Sequence, residues 1–374
     1  MELLPEFPRL DPIPLPAPVW LFKTLEVVTV SLHLIAVQLL LSGLIVGTVW
    51  TWTARRRRDP LLTEASGTIA RLLPIVMIYV INLGVPPLLF AQVLYGRALY
   101  TSSILMGGFW ISVILLLMLV YSLLYLMASR AKKGIAWGWV GLIAFVVAAK
   151  IAVIYSSNMT LMLRPQVWAE MYRGDPYGLH MNSGDATVWP RWLYIVLGGL
   201  SVGGAGLLLL GLSHRLQDQT ARFVRQWGAR LMLVGAGLQL LVGLWVYIAQ
   251  PTEVRESLGT SGWFVAFAVA WVLLSLALIG TGYWVHGRVS ERDVRWPLLG
   301  AGVCFSHVLA MVLVRATIRD RSLLVHGFDV WDRQVTANWT VVILFLVLFV
   351  AALVAMGWLI RVFSQARGVE GEYV

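Results

Sequence analysis

Long apolar runs, separated by short polar segments, recur from one end of the sequence to the other. Each run is long enough to cross a hydrocarbon core of about 30 Å as a helix that rises about 1.5 Å per residue. The pattern therefore predicts an all-α polytopic integral membrane protein with nine transmembrane helices. The predicted spans cover residues 20–52, 71–95, 103–128, 134–157, 190–213, 227–249, 262–285, 296–314 and 338–361.

The composition agrees with a membrane protein and excludes several other classes. Of the 374 residues, 59% are hydrophobic and 13% are charged, whereas a soluble domain carries roughly 25% charged residues. The net charge of +10 does not indicate a nucleic-acid partner, because basic residues of membrane proteins gather in cytoplasmic loops. The single cysteine, Cys304, excludes an internal disulfide and any multi-cysteine metal site.

Loop charges predict the orientation of the chain in the bilayer. With the N-terminus outside, the inner segments hold 16 basic and 7 acidic residues, and the outer segments hold 11 and 12. The positive-inside rule then favours an N-out, C-in arrangement in the inner membrane of a bacterium. We expect a proline-rich periplasmic interfacial segment (1–19), a membrane domain (20–366) with a periplasmic cap loop (158–189), and a cytoplasmic tail (367–374).

Two histidines lie deep inside predicted spans. His33 stands in "TVSLHLIAVQLLLSGLIVG" and His307 in "GVCFSHVLAMVLV". An ionisable group at membrane depth is a functional hypothesis by default, and neutral imidazole is the usual ligand of haem iron. The alternative for each is a neutral histidine hydrogen-bonded to a neighbouring helix.

Cationic side chains form a second group of candidates. Lys150, in "FVVAAKIAVIYSSN", lies in the outer third of the fourth predicted span. Its ammonium group either extends to the outer interface or meets an anionic group such as a haem propionate. Arg315, Arg319 and Arg321 follow the eighth predicted span on its outer side, against the positive-inside trend. They predict an anionic partner, either a propionate or an acidic loop.

The sequence lacks carboxylates in three predicted spans and lacks several known enzyme motifs. No aspartate or glutamate occurs between Ala65 and Ala169, so spans two to four offer no carboxylate to bind iron or relay protons. No zinc-protease, Walker A, dinucleotide-binding or nucleophile-elbow motif occurs in a plausible context. The glycine-rich "LGGLSVGGAG" (197–206) lies inside a span and predicts close helix packing.

Four stretches in order along the chain point to a known family. They are "LHLIAVQLLLSG" in the first span, "INLGVPPLLFAQVLYG" (81–96), "AAKIAVIYSSNMTLMLRPQVW" and "RQVTANWTVVILFLVLF". Together they resemble subunit I of the cytochrome bd quinol oxidases, in a divergent form. The resemblance implies nine spans with the N-terminus outside, and it maps a haem-ligating histidine of the family onto His33.

The departures from the family pattern concern oxygen reduction. The third span lacks the carboxylates of the family, and "PRWLYIVLGG" places Tyr194 where the family has a haem-ligating histidine. "AQPTEVRESLGTS" is too short for the quinol-binding loop, and His307 falls near a glutamate of the family. The resemblance thus implies a haem b pocket without haem d. His33 would bind the iron, and His307 would be a second ligand or the ligand of a neighbouring haem. Arg315, Arg319 and Lys150 would lie near the propionates.

Three functions remain compatible with these observations. The first is a haem b membrane subunit of a bacterial respiratory electron-transfer complex, which does not itself reduce oxygen. Its partners would be other membrane subunits, a c-type cytochrome and a quinol, and any catalysis would be that of a quinol or cytochrome oxidoreductase. The second is a haem-free membrane scaffold derived from an oxidase. The third is a transporter or proton-conducting subunit.

Overall fold

The computed structural model describes residues 14–213, 215–288 and 294–365. Nine helices in these ranges are long and apolar enough to cross a membrane, which confirms the predicted number. The nine helices are α1 (Val19–Arg57), α2 (Pro60–Leu105), α3 (Gly107–Lys132), α4 (Gly138–Leu161), α6 (Val188–Leu210), α7 (Asp218–Ile248), α9 (Gly262–Gly287), α10 (Arg295–Val325) and α11 (Trp339–Gln365). Two short helices lie between them, α5 (Trp168–Gly174) and α8 (Thr252–Gly259). Residues 1–13 of the predicted interfacial segment and the predicted tail (367–374) lie outside the described residues.

Helices α1 and α2 are longer than their hydrophobic runs, and a very short turn joins them. The turn places Arg58 in the left-handed region with φ of 51°. The Asp59 carboxylate then accepts hydrogen bonds from the backbone N–H groups of Leu61 and Leu62, and Pro60 occupies the first helical position. An aspartate cap followed by proline is a strong helix start. The polar segment between the first two predicted spans is therefore helical on both sides of this turn.

Helix α2 runs through three internal prolines and bends near its far end. Pro74, Pro86 and Pro87 each remove a backbone donor from the helix, and Tyr95 has non-helical torsion angles. Proline rings also clash with the carbonyl four residues earlier, so they strain the helix before Pro87 and do not explain the bend at Tyr95. The helix nevertheless continues to Leu105 because it packs along the length of α1.

Glycines of α6 bring three helices into close contact, as the sequence predicted. A Cβ on Gly203 would collide with the Ser42 side chain of α1. A Cβ on Gly204 would lie 2.5 Å from the Gly228 carbonyl oxygen of α7. Helix α6 therefore packs between α1 and α7, and its glycines let the helix backbones approach closely.

Several short segments gather at one end of the bundle. Leu15 donates its N–H to the Gln334 carbonyl, and Thr336 donates to the Leu15 carbonyl, so the chain before α1 pairs with the chain before α11. The predicted cap loop contains a 3-10 turn (Pro165–Val167) and α5. Its backbone touches the α2–α3 junction, where Gly108 N–H donates to the Gly178 carbonyl.

A candidate cofactor cavity

A cavity of about 960 Å³ lies inside the bundle, enclosed chiefly by α1, α2, α4, α6, α7, α9 and α10. Its size is near the upper end of the range for small-molecule sites, roughly 300–1,000 Å³. Leucine, valine, isoleucine and methionine side chains form most of the wall. The few polar groups on the wall therefore decide which ligand the cavity can hold.

The cavity opens sideways toward lipid. Val85 and Leu89 of α2 line it and keep about half of their surface exposed. Val269 and Leu273 of α9, which also line it, are 52% and 60% exposed. The opening between α2 and α9 is thus bordered by apolar side chains on the outside of the bundle.

His33 lies on the cavity wall with its ring fixed in place. Its Nδ1 is 3.1 Å from the Val80 carbonyl oxygen of α2. A carbonyl can only accept, so Nδ1 carries the proton and the lone pair of the neutral ring is on Nε2. Gly84 makes room for the ring, because a Cβ there would lie 2.9 Å from the His33 Cε1 atom. This arrangement leaves one nitrogen free for a ligand bond and orients it through the other.

His307 does not line the cavity. It is fully buried on α10, and neither ring nitrogen has a hydrogen-bond partner within the described part of the chain. The ring lies against Trp271, with 6.4 Å between the ring centroids, and Trp271 is part of the cavity wall. His307 thus lies behind this indole, on the far side of the wall from His33.

One end of the cavity is strongly cationic. Three arginines line it, Arg191 of α6 and Arg315 and Arg319 of α10, together with a single carboxylate, Glu26 of α1. Arg319 donates to both oxygens of Glu26, at 2.5 and 2.7 Å. Arg191 donates to Gln250 at 3.3 Å, and Arg315 has no hydrogen-bond or ion-pair partner among the described residues. Among the described residues, neither Arg191 nor Arg315 therefore has a carboxylate within ion-pair distance, although Asp185 acts on Arg191 and Glu26 on Arg315 from farther away.

A second ion pair lies directly beside this end of the cavity. Lys23 of α1 is 2.5 Å from Asp320 of α10 and donates to the Tyr95 hydroxyl at 2.6 Å. The Tyr95 hydroxyl donates to Asp320, and the Arg319 guanidinium lies 4.0 Å from the Tyr95 ring centroid. Lys23 and Asp320 neutralise each other, so they do not compensate Arg191 or Arg315.

Lys150 lies away from the cavity. It is exposed on α4, where its Nζ is 3.6 Å from the Met181 sulfur and 5.6 Å from the Phe109 ring centroid. Its contacts are with the cap loop and with α3. The structure therefore brings His33, Arg315 and Arg319 to one cavity but not Lys150 or His307.

Tyr194 occupies the position at which the resemblance expects a histidine. It lines the cavity, and its hydroxyl accepts a hydrogen bond of 2.9 Å from the Trp271 indole. Helix α6 thus presents to the cavity the phenol of Tyr194, whose hydroxyl is already hydrogen-bonded. A neutral phenol is a weak ligand for ferrous iron.

Sequence reasoning missed Arg191, Glu26 and the Lys23–Tyr95–Asp320 group. The first predicted span does contain a relevant feature. Lys23 and Glu26 are three residues apart and therefore lie next to each other on one helix face. Their partners Asp320 and Arg319 are adjacent near the end of α10. Opposite charges on two helices of one bundle could have suggested this pairing.

The residues at the cavity fit a haem. No group of three or more histidine, cysteine, aspartate or glutamate side chains suited to a bare metal ion occurs in the described ranges. The site instead combines one oriented imidazole, a large apolar volume and two guanidinium groups that form no close ion pair with a described carboxylate. These are the groups that an iron porphyrin with two carboxylates requires.

Comparison with known proteins gives the fold but no family. No family model matches the chain, and no curated protein matches it. Among solved structures it is similar to the bd oxidase from Geobacillus thermodenitrificans, with a TM-score of 0.63 and 11% sequence identity. The likeness covers 95% of this chain and 100% of that one. The chain is therefore a multi-pass helical membrane protein with the fold of a bd oxidase chain.

Proposed function

We propose that this chain is a membrane subunit of a bacterial respiratory electron-transfer complex, and that it holds haem b in the cavity with His33 as an iron ligand. The observation that carries the proposal is the His33 ring, whose Nδ1 bonds to the Val80 carbonyl while the ring lines the cavity. A histidine that only packs needs no free nitrogen on a cavity wall. A ligand histidine has one nitrogen oriented and the other available.

The cationic end of the cavity supports the same assignment. A haem carries two propionates, and a cavity that excludes water stabilises them only next to matching cations. Arg315 and Arg191 are the residues that would pair with them, because Arg319 is already held by both oxygens of Glu26. Glu26 in turn keeps Arg319 in place.

A bound haem b would supply reversible one-electron transfer, and the chain's own residues determine its setting. His33 would hold the iron, and Arg315 and Arg191 would hold the propionates. The leucine and valine wall excludes water around the ring. The electrons would pass to or from other membrane subunits, a c-type cytochrome or a quinol.

The spectrum of the purified chain tests this function. A pyridine haemochrome assay and a reduced-minus-oxidised spectrum should detect haem b. His33→Ala should abolish or halve that haem while the protein still inserts. His307→Ala is the control, because it removes a fully buried histidine that lies behind Trp271 and does not line the cavity. If His33→Ala retains full haem with an unchanged spectrum, His33 is a packing residue. A haem-free unmodified chain would instead make the scaffold function correct.

We also propose that the chain alone does not reduce oxygen. It has no acidic residue from Ala65 to Ala169, and Tyr194 stands where the resemblance expects a haem ligand. We expect neither quinol oxidation in the presence of cyanide nor a haem d absorbance band from the purified protein. A chain that shows both would be an oxidase in its own right.

A further inference from the structure

Two basic turns meet at the end of the bundle opposite the cap loop. Four consecutive arginines (55–58) close α1, and all four are exposed. Arg130 and Lys132 lie in the last turn of α3, and Lys133 follows it. Arg55 donates to the Gly134 carbonyl oxygen at 3.4 Å, so the α1–α2 turn lies against the α3–α4 turn. Residues 55–58, 130, 132 and 133 thus form one basic patch.

The protein itself does not neutralise the basic patch. None of its seven cationic side chains has a carboxylate within ion-pair distance in the part of the chain that the structure describes. The Asp59 carboxylate caps the start of α2. The Glu64 carboxylate accepts from the backbone N–H of Gln217 and from the Thr220 hydroxyl. The patch therefore favours an anion from outside the chain.

The backbone beneath the basic patch is fixed by contacts within the protein. The Arg130 Nε donates to the Ala136 carbonyl oxygen at 2.6 Å, which closes the α3–α4 turn. The buried Trp137 anchors this turn on α1, because a Cβ on Gly47 would lie only 3.2 Å from its ring. The two turns are thus held together before any ligand binds, which lowers the entropic cost of binding.

The basic patch borders the lipid-facing surface of α3 and α4. Trp139, near the start of α4, is 70% exposed, and its ring centroid is 5.4 Å from that of Trp52 on α1. Tyr125 and Leu126 of α3 and Ile143 of α4 each keep about half of their surface exposed. Tryptophan and tyrosine gather at the level of the lipid headgroups. Apolar surface suited to acyl chains therefore begins directly beside the cations.

We propose that the basic patch binds the headgroup of an anionic phospholipid, whose acyl chains lie along α3 and α4. Phosphate oxygens accept charge-assisted hydrogen bonds from guanidinium and ammonium groups. Clusters of about four to eight basic residues on the cytoplasmic side of a membrane helix attract anionic lipids. A soluble phosphate compound would use only the cations, whereas a lipid also covers the apolar surface. None of the seven basic residues lines the cavity, so the site is independent of haem.

Native mass spectrometry of the purified full-length chain in detergent tests the site. Phosphatidylglycerol and phosphatidylcholine with identical acyl chains are titrated separately, and phosphatidylglycerol should bind several-fold more tightly. Arg57→Gln should weaken the binding of phosphatidylglycerol about fivefold, because one cation near the headgroup is lost. Glycerol phosphate, which carries the same phosphate without acyl chains, should not displace the bound lipid at equal concentration.

Arg173→Gln is the matched control, because it removes an exposed arginine from α5, at the opposite end of the bundle. It should leave the affinity for phosphatidylglycerol unchanged. The double substitution Lys132→Gln, Lys133→Gln should weaken binding at least as much as Arg57→Gln, and it decides alone if Arg57→Gln does not fold.

Three results would each overturn the proposal. The first is equal binding of the two lipids, since the headgroup charge then has no role. The second is an equal effect of the patch substitutions and of Arg173→Gln, since the lipid then binds elsewhere. The third is displacement of phosphatidylglycerol by glycerol phosphate, since the patch then holds a soluble phosphate compound.

Discussion

The orientation of the His33 ring depends on two neighbours on α2, one residue that bonds to it and one that gives it space. The Val80 carbonyl selects the tautomer, and Gly84 leaves the volume in which the imidazole lies. Both stand on one helix, four residues apart and therefore on one face. Gly84 is thus a positioning residue for His33, and it also lines the cavity.

Substituting Gly84 by alanine should disturb haem binding. The new Cβ would lie 2.9 Å from the His33 Cε1 and 3.2 Å from its Nδ1, so the ring must move. We expect Gly84→Ala to lower the haem b content or shift its reduced spectrum. Gly237→Ala, which has open space, should bind haem as the unmodified protein does.

Helix propensity cannot explain such a loss, because alanine is favoured over glycine in a helix by about 1 kcal/mol. Full haem content and an unchanged spectrum in Gly84→Ala would contradict the role given to Gly84.

Sequence alone could predict His33, Arg315 and Arg319, but not Arg191, Glu26 or the Lys23–Tyr95–Asp320 group. A histidine in a long apolar run is visible in one sequence because its neighbours are apolar. Glu26 and Arg319 are 293 residues apart, and only the packing of α1 on α10 brings them together. Arg191 gives no such signal, because it directly follows Pro190 at a predicted span end, where a basic residue is ordinary.

At the level of helices, the charged end of α10 shows how pairing extends a membrane helix. The hydrophobic pattern predicted an end at residue 314, before Arg315, Arg319 and Asp320. The helix in fact continues to Val325, because Arg319 and Asp320 find buried partners on α1. Breaking a buried pair of this kind typically costs about 3–5 kcal/mol. A hydropathy pattern places such charges outside a span, because it contains no information about their partners on another helix.

Close packing of α6 on α7 gives a prediction about stability. In Gly204→Ala the added Cβ would lie 2.5 Å from both the Gly228 oxygen and the Met232 nitrogen, which are backbone atoms and cannot rotate away. Overpacking of this kind typically costs about 1–3 kcal/mol. We expect a lower thermal unfolding temperature in detergent than for Gly206→Ala, whose Cβ meets only the tip of Leu39. Equal unfolding temperatures would show that the two helices separate at little cost.

At the level of the whole molecule, the nine described spans alternate in direction. The first and last described residues therefore lie on opposite sides of the bundle. The segment before α1, the cap loop and the segment before α11 share one side. The α1–α2 turn and the α3–α4 turn lie on the other, and they carry Arg55 to Arg58 and Lys132 and Lys133. This distribution of charge follows the predicted N-out orientation.

Reporter fusions test that orientation. A reporter joined after Arg58 and another joined after Lys133 should both report the cytoplasm, because basic residues are retained on that side. A fusion after Gly259, at the end of α8, should report the periplasm and serves as the opposite control. A periplasmic signal at Arg58 or Lys133 would reverse the orientation proposed for the whole chain.

The sideways opening between α2 and α9 bears on biogenesis. A closed pocket would require its prosthetic group to be present while the helices assemble. Here the border residues Val85, Leu89, Val269 and Leu273 have at least half of their surface exposed on the outside of the bundle, where the spans would meet lipid. A flat amphiphile dissolved in the membrane can therefore diffuse in laterally after the chain has folded. If the cavity holds the proposed haem, its insertion would follow folding of the chain and would depend on the supply of haem in the membrane.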